Sequence, residues 1–188
     1  MKRKWFIMLL LVIGGTLGAG ASLLTAEVTH RTAGGEFCGS CDSMEPMTKT
    51  YELDVHGGQN DHGFVAQCVD CHLPQDSVFG YMLDKTKHGI NDVFVENFTN
   101  TDNIDWIGRR DERERFVFDS GCLNCHQKIL DKTQANNPKS LQTHAHYNAQ
   151  LEQGDPIQCV SCHVTVGHNG MLRSELNKRY PEHTFESK

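Results

Sequence analysis

Eight cysteines, every one of them in a C-x-x-C pair, constrain this chain more than any other feature. The pairs are Cys38/Cys41, Cys68/Cys71, Cys122/Cys125 and Cys159/Cys162, and none of the eight is left over. Three pairs are followed at once by a histidine: His72, His126 and His163. The first pair, in "CGSCDSM", is followed by Asp42 instead. In a C-x-x-C-H unit both thiols add to the vinyl groups of one porphyrin while the adjacent imidazole reaches its iron. Zinc knuckles built from paired C-x-x-C units would leave three histidines at identical offsets unexplained. Disulfides suit an exported chain, but such close pairs are usually redox or metal sites and not staples. The expected cofactor is therefore covalent haem c, four per chain.

The N-terminus says where such a domain would sit. Lys2, Arg3 and Lys4 precede an uncharged run from Trp5 to Ala26, which has about the 20 residues that a membrane-crossing helix needs. That run exceeds the ~7–15 apolar residues of an ordinary signal peptide. The basic tip should stay in the cytoplasm by the positive-inside rule. Residues 1–27 then read as basic tip and anchor, and residues 28–188 as one exported domain. The expected location is a bacterial inner membrane, crossed once, with the domain in the periplasm and the lipid bilayer as a partner. A net charge of −6 without a basic face excludes a nucleic-acid partner.

Regular structure should be sparse. "HGGQNDHG" and "QANNPKS" read as loops, while helices are expected over Ser77–Phe98 and Asp105–Phe118. The second helix carries "GRRDERERF", whose mixed charges suggest a solvated face. With 38% hydrophobic residues, protein alone would give a modest core, which porphyrin surface would enlarge. The expected fold class is mainly α: a loop-rich multihaem cytochrome c domain with one N-terminal transmembrane helix.

Axial ligation asks for donors beyond the attachment motifs. Eight histidines are available outside them: His30, His56, His62, His88, His144, His146, His168 and His183. A second cluster lies in "KTKHGIND", where Lys85, Gly89 and Asp92 fall on one face of a helix at i, i+4 and i+7. Gly89 there would let the helix approach a ring closely.

The stretches "FCGSCDSM", "DVHGG", "CVDCHLP", "KTKHGIND", "CLNCH" and "CVSCHVTVGH" together resemble the NapC/NirT/NrfH family of membrane-anchored tetrahaem cytochromes c. The resemblance covers essentially the whole chain and implies a quinol dehydrogenase. Such a protein oxidises menaquinol or ubiquinol and hands electrons to a periplasmic reductase, with nitrite reductase among the candidates. It also implies that Met44 binds the first iron in place of a motif histidine, Met47 being the nearby alternative. A thioether is a known iron ligand of cytochromes c. His72, His126 and His163 would be proximal ligands of haems 2, 3 and 4. By the same resemblance His56 would reach haem 4, His168 haem 3 and His146 haem 2. His144, His88 or a lysine of a partner stay open for haem 2. Lys85 would hold a quinone oxygen and Asp92 would take a quinol proton or occupy the open face of haem 1. The alternative reading is a redox anchor that relays electrons without oxidising quinol itself. Terminal reductase, quinone type and pairing with a second copy of the chain are left open.

Overall fold

The structure is a computed structural model that describes residues 2–102, 104–128, 138–154 and 157–168. Helix α1 (Lys2–Arg31) is one continuous 30-residue rod with no buried residue. It runs through the 27/28 boundary and ends inside the exported domain. Thr16 and Thr25 within it donate their hydroxyls to the carbonyls of Val12 and Ala21, so these polar groups are satisfied without water.

Short elements carry the cysteine pairs. Helix α2 (Gly35–Cys38) delivers the first pair, and a 3₁₀ turn, Asp42–Met44, follows it. Helix α3 (Glu45–Glu52) starts with Pro46 in its first turn, where a missing N–H costs nothing. A 3₁₀ turn at Val55–Gly57 follows, with the Asp54 side chain accepting from His56 N. Helix α4 (Cys68–His72) is the second motif itself, α7 (Asp119–Cys125) leads into the third, and α9 (Cys159–Cys162) is the fourth. Helix α5 (Val78–Phe98) and helix α8 (Pro138–Gln153) are the longer elements of the exported part. No strand occurs among the described residues.

Helix α5 forms where expected, with Ser77 as its cap: the hydroxyl accepts from Gly80 N at 3.2 Å. The single helix expected over Asp105–Phe118 does not form. One α-turn, α6 (Trp106–Arg109), gives way to a 3₁₀ stretch, Arg110–Arg115. The reason lies in Arg113, which is not a solvated side chain. Its Nε donates to Val160 O at 2.6 Å and its Nη2 to Ser161 O at 3.3 Å, both in α9. Its Nη1 reaches Arg110 O at 3.2 Å, and Glu114 accepts from Ser161 Oγ at 2.5 Å. The charged run is a clamp on the fourth motif.

The core made by protein alone is small. Ala33, Val69 and Leu73 form its centre with Tyr81 packed against it. Val69 and Val160, the second residues of "CVDC" and "CVSC", are both buried. Helices α4, α7 and α9 form a spine. Phe118 N donates to Cys71 O at 3.0 Å and Gln75 N to Ser120 Oγ at 2.9 Å. Gly121 permits this approach: a Cβ there would stand 1.9 Å from Asp70 O. On the far side of α7, Asp119 accepts from Cys159 N at 2.8 Å and from the Tyr147 hydroxyl at 2.7 Å.

Candidate haem sites and redox face

Three histidine pairs stand out in the part of the chain that follows α1. The rings of His72 and His168 have centroids 6.3 Å apart, those of His56 and His126 6.2 Å, and those of His144 and His163 6.3 Å. Each pair joins one motif histidine to one from elsewhere in the chain. An imidazole nitrogen sits about 2 Å from a bound metal, and its ring centre lies about 1.2 Å farther back. Two imidazoles on opposite sides of one iron therefore have centroids about 6.3 Å apart. All three separations match that span, so these residues fit a six-coordinate haem at each of motifs two, three and four.

Hydrogen bonds fix which nitrogen each ring presents. His72 Nδ1 donates to Phe116 O at 2.7 Å. His168 Nδ1 lies 3.1 Å from both Met47 O and Thr50 Oγ1. His56 Nδ1 meets Asp54 Oδ1 at 3.0 Å, and His144 Nδ1 meets Ser140 Oγ at 3.2 Å. In all four the Nδ1 is engaged, so Nε2 is the nitrogen each ring could offer a metal. Such outer partners orient metal-bound histidines and raise their basicity. Burial pushes the His168 imidazole down to about 4, so it is held neutral, the form that binds a metal.

These pairs differ from the partners set out from the sequence. His56 faces His126 and not His163, and His168 faces His72 and not His126. His146 is exposed, while its neighbour-but-one His144 faces His163. The cause is the register of α8. Ser140, His144 and the buried Tyr147 share one face at i, i+4 and i+7, and the Tyr147–Asp119 bond turns that face inward. His146, two residues from His144, is turned to the opposite side. His88 is exposed, although its charge reaches His72.

The four cysteine pairs stand in sequence order. The thiols of Cys38 and Cys68 are close enough to influence each other's ionisation, as are those of Cys122 and Cys159, and Cys71 lies within electrostatic reach of Cys122 and Cys125. Asp119, Cys122 and Cys159 bring ligand atoms within 4.8 Å of one another. That carboxylate is already taken by Tyr147 and the Cys159 N–H. It braces motifs three and four against each other.

Around the first motif the neighbours come from α5 and from the end of α1. The Lys85 ammonium donates to Thr32 O at 2.8 Å, lies 5.9 Å from the Tyr81 ring centre, and favours the Cys38 thiolate by its charge. Burial lowers the Lys85 pKa. Asp92 is exposed, yet its charge acts on both Cys38 and Cys41. Glu96 completes this face, accepting from Ser43 Oγ at 2.6 Å. The structure thus brings Lys85 and Asp92 to the first cysteine pair, as their spacing suggests, and adds Glu96. The signal for Glu96 is its place at i+11 from Lys85 on the same helical stripe. Gly89 has no neighbour within 4 Å of where a Cβ would be. Met44 closes the 3₁₀ turn after the pair and is half-buried, whereas Asp42 is exposed. Met47 gives its carbonyl to His168.

Motif chemistry, paired rings and, among the described residues, one membrane-length helix define a membrane-anchored multihaem cytochrome c. The chain belongs to the NapC/NirT cytochrome c family, whose N-terminal-region model matches residues 1–172. It is 26% identical to the tetraheme c-type cytochrome CymA of Shewanella oneidensis, over 89% of this chain and 92% of that protein. It is also 26% identical to the cytochrome c-type protein TorC of Escherichia coli K12, over 96% of this chain but only 47% of TorC, so it spans about half of that relative. Among solved structures it is similar to a chain in the cytochrome c nitrite reductase NrfHA complex bound to the HQNO inhibitor. There the TM-score is 0.54 at 22% identity, covering 86% of this chain and 92% of that one. The fold is shared with that chain. The cofactor is covalent haem c at four sites, and the protein is an electron-transfer cytochrome anchored in the inner membrane by α1.

Proposed function

We infer that this protein oxidises quinol at the periplasmic surface of the membrane and passes the electrons, haem by haem, to a soluble periplasmic reductase. One observation carries the reading: Lys85 and Asp92 converge on the first cysteine pair beside the point where α1 ends. A lipid-soluble donor arrives there first.

Quinol must lose two protons and two electrons. The Lys85 ammonium has three N–H donors, one of which is spent on Thr32 O, leaving others to hold a quinol oxygen. Asp92 is exposed and its charge acts on the same cysteine pair, so its carboxylate takes the two quinol protons in turn and passes each to solvent. Haem c supplies one-electron iron chemistry. The succession Cys38–Cys68, Cys71–Cys122, Cys122–Cys159 supports a path from the first site to the fourth. The ligand set we assign is Met44 for haem 1, His72 and His168 for haem 2, His126 and His56 for haem 3, and His163 and His144 for haem 4. The ring separations and the engaged Nδ1 atoms support the last three pairs.

Stopped-flow reduction of the full-length protein by a menaquinol analogue tests the reading. Asp92→Asn should slow haem reduction by at least tenfold, and Lys85→Leu should raise the half-saturating quinol concentration. Reduction by dithionite should be unchanged in both. Wild-type quinol rates in both variants would move the site elsewhere. No reduction of the wild-type protein by any quinol would make it a relay fed by another complex.

A further inference from the structure

Helix α5 has a second face that the redox site does not use. Phe79, Leu83, Ile90, Phe94 and Phe98 recur at i, i+4, i+11, i+15 and i+19, which is one stripe of an α-helix. All five are exposed, Phe79 at 77%, Ile90 at 68% and Phe98 at 74%. Phe94 and Phe98 touch only each other's rings among the aromatic contacts, at 5.2 Å. Lys85 and Asp92 lie two residues from Leu83 and Ile90, hence about 200° around the helix. The stripe therefore points away from the first cysteine pair. It is long as well as apolar: Phe79 and Phe98, 19 positions apart, are separated by about 28 Å along the helix.

We propose that α5 lies in the plane of the membrane surface, with this stripe set into the outer leaflet, as a second attachment besides α1. The height of the helix supports this. The uncharged run from Trp5 to Ala26 is about 33 Å long as a helix, close to the ~30 Å hydrocarbon core. Thr29 then stands only about 5 Å beyond Ala26, among the lipid headgroups. Thr29 Oγ1 touches Met82 Sδ at 3.9 Å and Thr32 O accepts from Lys85 Nζ at 2.8 Å, so the Met82–Lys85 turn of α5 is fixed at that level. A helix with side chains is about 10 Å across, enough for its outer face to meet the acyl chains from there. Lys87, on the same side, pairs with Asp84 at 3.2 Å and carries its charge on a long stem that can reach the headgroups. An upright α5 would instead hold Phe94 and Phe98 in water.

The test uses the full-length holoprotein in vesicles of zwitterionic phospholipid, haem domain outward, with haem content verified for each variant. Phe79→Cys, Ile90→Cys, Phe98→Cys and a loop control, Gln59→Cys, are reacted with a charged maleimide. The three stripe thiols should react at least tenfold more slowly than the control. In parallel, the unsubstituted protein in vesicles containing a photoreactive phospholipid should form lipid adducts within residues 78–98. Thiols as reactive as the control would overturn the proposal. Protection at Phe79→Cys with free reaction at Phe98→Cys would overturn the in-plane orientation. Slow thiols with chain-to-chain cross-links and no lipid adduct would assign the face to a second copy.

Discussion

Gly121→Ala should break the joint between the second and third haem motifs. The added Cβ would lie 1.9 Å from Asp70 O, whereas ordinary contact begins at 3.4 Å, so the helices must part by about 1.5 Å. The obstacle is a backbone carbonyl and cannot rotate away. Overpacking of this kind costs about 1–3 kcal/mol. The same displacement stretches the 2.9 Å bond from Gln75 N to Ser120 Oγ and the 3.0 Å bond from Phe118 N to Cys71 O to about 4.4 Å, beyond useful length and worth about 1 kcal/mol each. Alanine returns up to about 1 kcal/mol of helix propensity. The net expectation is a loss of about 2–4 kcal/mol. Denaturant unfolding of the detergent-solubilised holoprotein, followed by Soret dichroism, reads this directly, and a haemochrome assay should still give four haems. A midpoint within about 0.5 kcal/mol of the unsubstituted protein would mean that α4 and α7 do not meet through Gly121.

Three further outcomes are expected. His144→Ala should convert one low-spin haem to high spin in electron paramagnetic resonance, while the exposed His146→Ala should leave the spectrum unchanged; the reverse pattern would restore His146 as the ligand. Met44→Leu should shift the potential and spin state of a single haem in a redox titration, and Asp42→Asn should shift none. Arg113→Met removes donors from Val160 O and Ser161 O, so unfolding should become easier by about 1–3 kcal/mol. Arg113→Lys, which keeps the charge but not the fork, should recover only part of that.

Chemistry that lies within a few residues was legible in the sequence. The cysteine pairs, their histidines and the length of α1 announce cofactor and anchor, because each is a local pattern with a local physical cause. That Lys85 and Asp92 share one face of α5 was legible from helical periodicity; a role for that face came only from the resemblance. The histidines that face the motif histidines were legible as residue types but not as partners. His56 meets His126 because Gly57 lets its turn close on Tyr51, and His144, not His146, faces His163 because Tyr147 is anchored to an aspartate 28 residues earlier. "GRRDERERF" misleads for the same reason. Its composition suits water, but Arg113 answers carbonyls 47 and 48 residues away.

The bond between His168 and Thr50 joins residues 118 apart. Thr50 is fully buried, and His168 also stands across from His72. A chain that crosses the membrane in order of sequence behind a retained N-terminal tip exposes the second motif long before residue 168 emerges. Through that interval Thr50 of α3 lacks its His168 partner and His72 lacks the ring that faces it. Closing so long a loop is entropically costly and slow. Biogenesis of this cytochrome therefore has an enforced waiting period: the second site is among the earliest to emerge and among the last to be completed, and a chain arrested between residues 162 and 168 would hold every cysteine pair and still be unfinished at its centre.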